Sequence, residues 1–499
     1  MRRLGIVLLV LIVLLAVAIG GLLWRASVAP IPLAWLQPQI QAMVDRSSPF
    51  AVTFTDPSIG WDRAENVLEL QVRNVEARAE NDHLVASAPR LRGTVALAPL
   101  ILERRIELVE VGLELPRIGL SRDANGKLAL SFDGKLAEVP MGETAGGGGL
   151  EALLGGGPEG ADPRLASLRR IEVHAPVLDY VEEALGAKVS ARDAVFAMVR
   201  TDGVWDTSLS AGLGDGRITA KAVPAATPPQ LDVTMELESL EPSLLADFAR
   251  DLPLAGLVLP VSGTVAFSVD PLTGTTGPAS VDLTGQSGRI ASESLGLAPL
   301  RLDGARLRGR IDAGLDGASI DELRLAGEGF IFDAKGSIGI TPGGVTADVT
   351  LDPDDLDVDE ALRLWPTKVA TDARTWLAEH VPAGKLGHAT LKIGGRGSRP
   401  GQQDMAGSFE FSGARVIYLD GFPPADGLSG RVGLAGDSLT VSAPGGRTGD
   451  ITLGATEVTL SNITGAGVAR LQAKLDLSST LPAVLRLLDF YSLDGLRDL

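Results

Sequence analysis

The chain has 499 residues, a formal net charge of −18 at neutral pH and no cysteine. This acidic balance argues against nucleic-acid binding, which needs a basic surface, and against simple electrostatic adhesion to anionic lipid. The lack of cysteine excludes disulfides, thiolate nucleophiles and cysteine-ligated zinc. Hydrophobic residues make up 45% of the chain but aromatic residues only 4%, so its apolar surface is aliphatic.

An uncharged, mostly aliphatic segment opens the chain at residues 4–24, between Arg3 and Arg25. It is long enough to span a hydrocarbon core of about 30 Å, and longer than the apolar region of a cleaved signal peptide. We therefore predict a transmembrane anchor over residues 1–25, with the N terminus in the cytoplasm and the bulk of the chain in the periplasm. Its membrane-facing residues are predicted to include Leu4, Leu8, Leu11, Leu15, Ile19, Leu23 and Trp24.

Residues 26–140 are predicted to hold one amphipathic helix and the first strands. Apolar residues recur at helical spacing within residues 32–47, and Pro49 follows. Beyond Phe50 the pattern changes to strict alternation, in which apolar residues are separated by single polar ones. A period of two is typical of a strand with one apolar and one polar face. Examples are Leu68, Leu70 and Val72, and Val109, Val111, Leu113 and Leu115.

Several motifs in this region resemble those of a known family. They are residues 88–91 (Ala-Pro-Arg-Leu), the apolar run at 95–102, and residues 115–127, with Trp61 ahead of them. The set resembles the N-terminal region of AsmA-like proteins, where an anchor and a first helix precede a Pro–apolar–Arg-Asp–x–x–Gly strand and turn. The resemblance implies a long, curled β-groove.

Residues 141–163 are rich in glycine and are predicted to be a linker or surface insertion. They lack the Gly-Lys-Ser/Thr ending of a phosphate-binding loop. Strand alternation then resumes over residues 164–355, most clearly at residues 262–269, where Val265, Phe267 and Val269 share one side. Glycine opens several such stretches, including Gly263, Gly407 and Gly430, and we expect a positive φ or a tight turn there.

A helical interruption is predicted over residues 356–383, broken at Pro366. Residues 364–366 (Leu-Trp-Pro), residues 374–377 (Arg-Thr-Trp-Leu) and Gly384 resemble the central region of the YhdP-type branch of the family. Strands are predicted again over residues 384–499, which end in a short amphipathic helix at residues 481–490. The fold class predicted from the whole chain is mainly β: one long, curled antiparallel sheet, an N-terminal transmembrane helix and a few short amphipathic helices.

Candidates for catalysis or metal binding are weak. The four histidines (His83, His174, His380 and His388) lack metal-ligand spacing. The acidic run at 352–360 alternates carboxylates like the start of a calcium loop, but Glu360 stands where that loop needs glycine. Carboxylates that favour the dipole of a following helix are the preferred interpretation. No Gly-x-Ser-x-Gly elbow occurs. We predict a non-enzyme without cofactor or metal.

A sheet with one apolar face and few helices to cover it must curl, close or pack against a second sheet. Relatives of the AsmA, TamB and YhdP type are implicated in moving phospholipid between bacterial membranes, so the resemblance implies a lipid-carrying groove in a single-pass inner-membrane protein. Predicted lining residues are Val265, Phe267, Val269, Leu323, Leu325, Val349, Leu351, Phe409, Phe411, Leu471, Leu475 and Leu477.

Three alternatives stay open at this point. The same side chains could pack between two layers of a sandwich. The chain could be an envelope scaffold that assists outer-membrane protein assembly, with outer-membrane or envelope proteins as partners and no lipid cargo. A polysaccharide-processing enzyme would need aromatic platforms, and the chain has only 6 Trp, 3 Tyr and 12 Phe.

Overall fold

The structure is a computed structural model, and it describes most of the chain after residue 28. The described residues are 25, 29–47, 51–62, 67–78, 84–96, 108–124, 128–132, 135–140, 168–202, 204–225, 230–248, 253–270, 275–293, 296–314, 316–341, 344–354, 356–368, 371–393, 405–419, 422–461, 470–481 and 483. The predicted anchor at residues 4–24, the glycine-rich segment at 141–163 and nearly all of the predicted closing helix at 481–490 lie outside them. Among the described residues, no helix combines the length and the apolar character needed to cross a membrane.

Among the described residues, helices are few. They include the α-helices α1 (Gln37–Ser47), α2 (Val358–Leu364) and α3 (Thr371–His380), and short 3-10 helices at Ala34–Leu36, Pro242–Phe248 and Pro253–Gly256. Pro366 lies between α2 and α3, where a proline cannot continue a helix.

Strands make up the rest of the regular structure, and the described residues contain 28 of them. They are β1 (Ile31–Pro32), β2 (Ala51–Asp62), β3 (Val67–Arg78), β4 (Leu84–Ala96), β5 (Leu108–Glu114), β6 (Ile118–Arg122), β7 (Leu128–Phe132), β8 (Lys135–Pro140), β9 (Arg170–Glu182), β10 (Ala187–Thr201), β11 (Val204–Leu213), β12 (Gly216–Pro224), β13 (Leu231–Leu240), β14 (Leu257–Val258), β15 (Val261–Val269), β16 (Ala279–Gly285), β17 (Gly288–Ser292), β18 (Leu297–Ile311), β19 (Gly317–Gly327), β20 (Phe330–Thr341), β21 (Gly344–Asp354), β22 (Leu356–Asp357), β23 (Ala383–Ile393), β24 (Met405–Val416), β25 (Ala425–Ala435), β26 (Ser438–Thr448), β27 (Ile451–Ser461) and β28 (Arg470–Ser478).

The chain divides into two compact units. Unit 1 contains residues 1–240 with short pieces at 247–249 and 269–274, and unit 2 contains nearly all of the remainder. In unit 1, strands β1 to β5 pair antiparallel in the order of the chain, and so do β9 to β13. The prediction of a mainly β chain with mostly antiparallel pairing and few helices is confirmed.

Unit 1 also contains the parallel pairings of the described chain. Strands β5 and β6 both run parallel to β9, with Glu110 opposite Arg170 and Ile118 opposite Leu178. Between them stands Pro116, which has no backbone N–H to give to a ladder, so the strand is interrupted there. Nothing in the alternation of the sequence signals this parallel return.

In unit 2 the pairing is antiparallel throughout the described strands. The main ladder runs β15, β16, β18, β19, β20, β21, β23, β24, β25, β26, β27 and β28. The short strands β14, β17 and β22 extend it at one end through β18 and β23. Bulges interrupt β18, β19, β23 to β25, β26 and β27, and each bulge bends its strand and increases the local twist.

The recurrent glycines do not sit in turns, so the expectation of a tight turn is wrong, whereas Gly263 has the expected positive φ, at 144°. Gly263, Gly407 and Gly430 all lie inside strands. A Cβ on Gly430 would lie 2.0 Å from the backbone oxygen of Ser442 on the neighbouring strand. These positions need glycine because two backbones approach closely where the sheet bends, and any side chain would separate them.

Replacing Gly430 with alanine should therefore lower stability by about 2 kcal/mol, the range expected when an atom is forced into a filled space. Gly433 on the same strand is the matched control, because a Cβ there meets no atom closer than 4.0 Å. The measurement is the urea midpoint followed by circular dichroism. Equal midpoints for the Gly430→Ala and Gly433→Ala proteins would contradict the close approach.

Candidate functional site

The register of unit 2 places apolar side chains in rows that cross the whole ladder. The central row has one residue from each strand of the main ladder from β16 to β27. Its members are Leu283, Leu307, Leu323, Ala334, Leu351, Ala389, Phe409, Val432, Val441 and Val458.

A second row lies beside it and is also unbroken. It consists of Val265, Val281, Gly309, Ile320, Gly336, Val349, Leu391, Gly407, Leu434, Leu439, Leu460 and Leu471. Twelve strands at about 4.8 Å give this row a length of roughly 50 Å along the ladder. We call the surface formed by both rows the apolar face of unit 2.

All but one of the predicted lining residues lie on this face. Leu323, Leu351 and Phe409 belong to the central row. Val265, Val349 and Leu471 belong to the second row. The others flank the rows: Leu325 is opposite Phe332, Phe411 is opposite Leu386, Leu475 is opposite Thr456, and Leu477 is opposite Leu453, while Phe267 follows Val265 on β15 at a spacing of two. Val269, the last residue of β15, belongs to unit 1.

Sequence reasoning missed about half of the face. Leu283, Leu307, Val432, Val441 and Val458 follow the same alternation as the predicted residues and lie between them. Their membership could have been predicted from alternation alone. Which residue stands opposite which depends on hairpin lengths and bulges, and those are read only from the structure.

The opposite side of the same strands carries a ladder of charges. Arg306 Nη2 lies 2.9 Å from Asp282 Oδ1 on the strand beside it. Arg308 Nη2 lies 3.4 Å from Glu322 Oε2. Further cross-strand pairs are Arg324 with Asp333, Lys392 with Asp348, and Arg431 with Glu410. Each exposed pair adds little stability, but together they mark this side as the one in water.

Side chains of the apolar face are mostly half-buried. Val281, Ala334 and Val432 are buried, at 7–8% exposure, and Gly309 is buried as well, while the rest of the described part of both rows between β15 and β27 is intermediate. On the last described strand, Leu471 is 69% exposed and Leu477 is 59% exposed. A tightly packed sandwich would bury such rows almost completely.

Burial rises toward one end of the strands. There α2 packs its Ala361 with Leu302, Phe330 and Leu356 in a buried cluster, and Leu325, Phe332, Leu364 and Leu386 pack around it. We call this the helix end of unit 2, marked by the strand residues Leu302, Phe330, Ala383 and Ala425. The distal end is the opposite one, marked by Ile311, Ile338, Ala435 and Ser461.

Unit 1 has its own buried apolar cluster and a polar group beside it. The cluster contains Ala88, Leu115, Ala175, Ala194 and Ala211, with Leu178 packed against it. Two residues further along β9, Tyr180 stacks on Phe248 with ring centroids 5.7 Å apart, and its hydroxyl donates to Glu182 Oε2 at 2.7 Å. Burial, and secondly the hydrogen bond to Glu182, raise the pKa of Tyr180 to about 12.

The described residues of the acidic run and the described histidines have partners within the chain or lie at a helix start. Asp357 directly precedes α2 without a side-chain capping bond, and Asp359 and Glu360 lie in the first turn of that helix. Asp352 pairs with His388, and Asp355 lies outside the described residues. Across the described part of the chain, no group of three potential ligands comes together.

Two other polar sites have internal partners. His174 pairs with Glu172, whose pKa is lowered mainly by the hydrogen bond from Arg170. A shallow depression on unit 1 mixes both signs of charge, with Arg192, Arg217, Asp215 and Glu238 on its walls. Neither the His174–Glu172 pair nor this depression indicates a particular class of ligand.

Comparisons of this chain with protein-family models, with curated proteins and with solved structures find no match. The apolar face itself is therefore the strongest guide to function.

Tyr180 allows a direct test of the described packing. Its raised pKa means that burial stabilises the neutral phenol, so this contribution is complete below pH ~10 and is lost as pH rises toward 12. In an ultraviolet titration of phenolate, Tyr180→Phe should remove the latest-ionising phase.

Tyr418→Phe is the control, because Tyr418 is 47% exposed in unit 2 and its removal should leave that phase in place. A late phase that survives in the Tyr180→Phe protein would contradict the burial of this hydroxyl.

Proposed function

We propose that the chain is a bridge-like lipid-transfer protein that carries phospholipid acyl chains along the apolar face of unit 2. The observation that carries the proposal is the unbroken, half-buried second row across twelve strands, backed by a charged ladder on the other side. In the proposal the sheet curls around the acyl chains, and the headgroup stays in water.

The energetics favour a continuous surface over a single pocket. Each CH₂ group moved into water costs about 0.8 kcal/mol, so an unshielded sixteen-carbon chain costs roughly 12 kcal/mol. A carrier lowers this cost only where aliphatic contact is uninterrupted. The second row runs from Val265 to Leu471 with Val, Leu and Ile side chains and with glycine at three positions, and beside it the central row adds Val, Leu, Ala and Phe side chains from Leu283 to Val458.

Partial exposure supports an acyl occupant over a protein one. An aliphatic face of this extent left to water would promote aggregation. Full burial by a second sheet would exclude lipid, but the described side chains of both rows are mostly intermediate in exposure. A flexible chain can fill such a surface at every position without a fixed partner geometry.

Location and family belong to the same proposal. The apolar segment at residues 4–24 would anchor the chain in the inner membrane, and the bulk would lie in the periplasm. The motifs at 88–91, 115–127 and 364–366 support membership of the AsmA-like family and its YhdP-type branch. Transport needs no catalytic residue in this scheme.

An envelope scaffold without lipid cargo is the second candidate. It is favoured by β28, which pairs with β27 and whose Leu471, Leu475 and Leu477 are exposed. A strand with such side chains could accept a strand from an outer-membrane protein. This candidate predicts that the purified chain carries no phospholipid.

Photo-crosslinking separates the two candidates. A photoreactive amino acid at Leu323 or Phe411 should label co-purifying phospholipid, because both side chains belong to the apolar side of the sheet. The same probe at the adjacent Arg324 or Glu410 should not, because these residues form ion pairs on the other side. Mass spectrometry of the adducts is the measurement, and equal labelling at all four positions would count against the face assignment.

A charge placed in the central row should release the lipid. Leu351→Asp puts a carboxylate among Ala334 and Ala389, and burying it against acyl chains is strongly unfavourable. We expect co-purifying phospholipid, measured after solvent extraction, to fall at least about fivefold, a change of roughly 1 kcal/mol.

Thr350→Asp is the matched control, since Thr350 is the neighbouring residue and faces the opposite side beside Lys335. It should retain lipid at the level of the unaltered protein. Unchanged lipid in the Leu351→Asp protein would argue for the scaffold.

A further inference from the structure

We infer that helices α2 and α3 close one end of the lipid-binding face, so that an acyl chain lies along the strands with its methyl end at the helix end and its headgroup at the distal end. This inference rests on the proposed function and adds an orientation to it. It concerns unit 2 alone.

The exposure of side chains along a single strand differs between the helix end and the distal end. On β20, Phe330 is 6% exposed, Ala334 is 8% exposed and Ile338 is 41% exposed. These residues have an even spacing on a strand without a bulge toward β21, so they share a face. The face therefore runs from a dry end at Phe330 to an open end at Ile338.

The buried end continues across neighbouring strands. Seven apolar residues at this end are at most 8% exposed, and they lie on or beside strands from β18 to β27. They are Leu302, Leu356, Val381, Ala414, Ala425, Ile451 and Leu453. Burial at the helix end therefore extends across the sheet.

The helices that form this end are held by the sheet and by each other. Thr367 N donates to Gly296 O at 3.1 Å, and Ile417 N donates to His380 O at 2.8 Å. Arg374 Nη2 donates to Leu362 O at 3.0 Å, which joins α3 to α2. Backbone hydrogen bonds at both ends of the helical segment are those of a fixed base and not of a mobile lid.

The dimensions suit an acyl chain. From Phe332 to Ile338, six steps of about 3.3 Å give a depth of roughly 20 Å. One leaflet of a bilayer with a hydrocarbon core of about 30 Å is about 15 Å deep. A chain with its methyl end near Phe332 would therefore end before the distal strand termini.

The distal end of the face is bordered by exposed polar residues. Asp312 and Asp316 are exposed there, beside Gly317, and Asp437 lies in the β25–β26 turn. A headgroup at this end would remain in water. At the helix end a phosphate would be pressed against Leu302 and Phe330, where its desolvation is not compensated.

The test uses the full-length protein and two phosphatidylcholine probes. One carries a diazirine near the acyl carboxyl, and the other carries it near the methyl end. After loading and illumination, peptide mapping should find the methyl-end probe mainly on Leu325, Phe332 and Leu386. The carboxyl-end probe should be found mainly on Ile320, Ile338 and Leu434, with at least about a fivefold difference between the two patterns.

Reversed or identical patterns would overturn the orientation and leave lipid carriage intact. If neither set were labelled above the signal on Arg324 and Glu410, the result would contradict both the proposed function and this inference. Peptides of the charged side thus serve as the internal control.

Discussion

Antiparallel register is the constraint on which the unit 2 structure depends. Side chains alternate with a period of two, so a slip of one residue in any hairpin would send every following apolar residue to the charged side. The second row stays on one side from Val265 to Leu471, through eleven successive pairings. A continuous apolar surface therefore depends on every hairpin and bulge being correct.

The charged side helps to hold that register. Arg306 and Arg308 each reach both Asp282 and Glu322, on the two strands that flank β18. Such pairs contribute little to stability at the surface, but a one-residue slip would bring these charges against aliphatic side chains, at a large cost. The ion pairs on this side are therefore better explained by their effect on strand register than by a contribution to stability.

How much of this could be predicted from the sequence varies from residue to residue. Alternation is a local pattern, so the sequence alone predicts that Val265 and Phe267 share a face, and that Phe409 and Phe411 do. Where a strand has a bulge, alternation gives the wrong face. Leu453 and Val458 are an odd number of residues apart, so alternation would place them on opposite faces, yet both pair with residues on one face of β28. The parallel pairing of β5 and β6 with β9 and the strand glycines such as Gly430 depend on contacts between distant segments, and local patterns do not encode them.

The proposed function needs a surface of a particular kind and no conventional binding pocket. An acyl chain offers no hydrogen-bond donor, acceptor or charge by which a protein could fix it, so its recognition would depend on area, shape and the exclusion of water. In the proposed function, Val349, Leu351 and Phe409 would contact any part of such a chain equally well, and lipid would move along the rows without a deep energy minimum. A preferred direction for the acyl chain would then come from the ends of the face, where burial differs, and α2 lies at the end that is more buried.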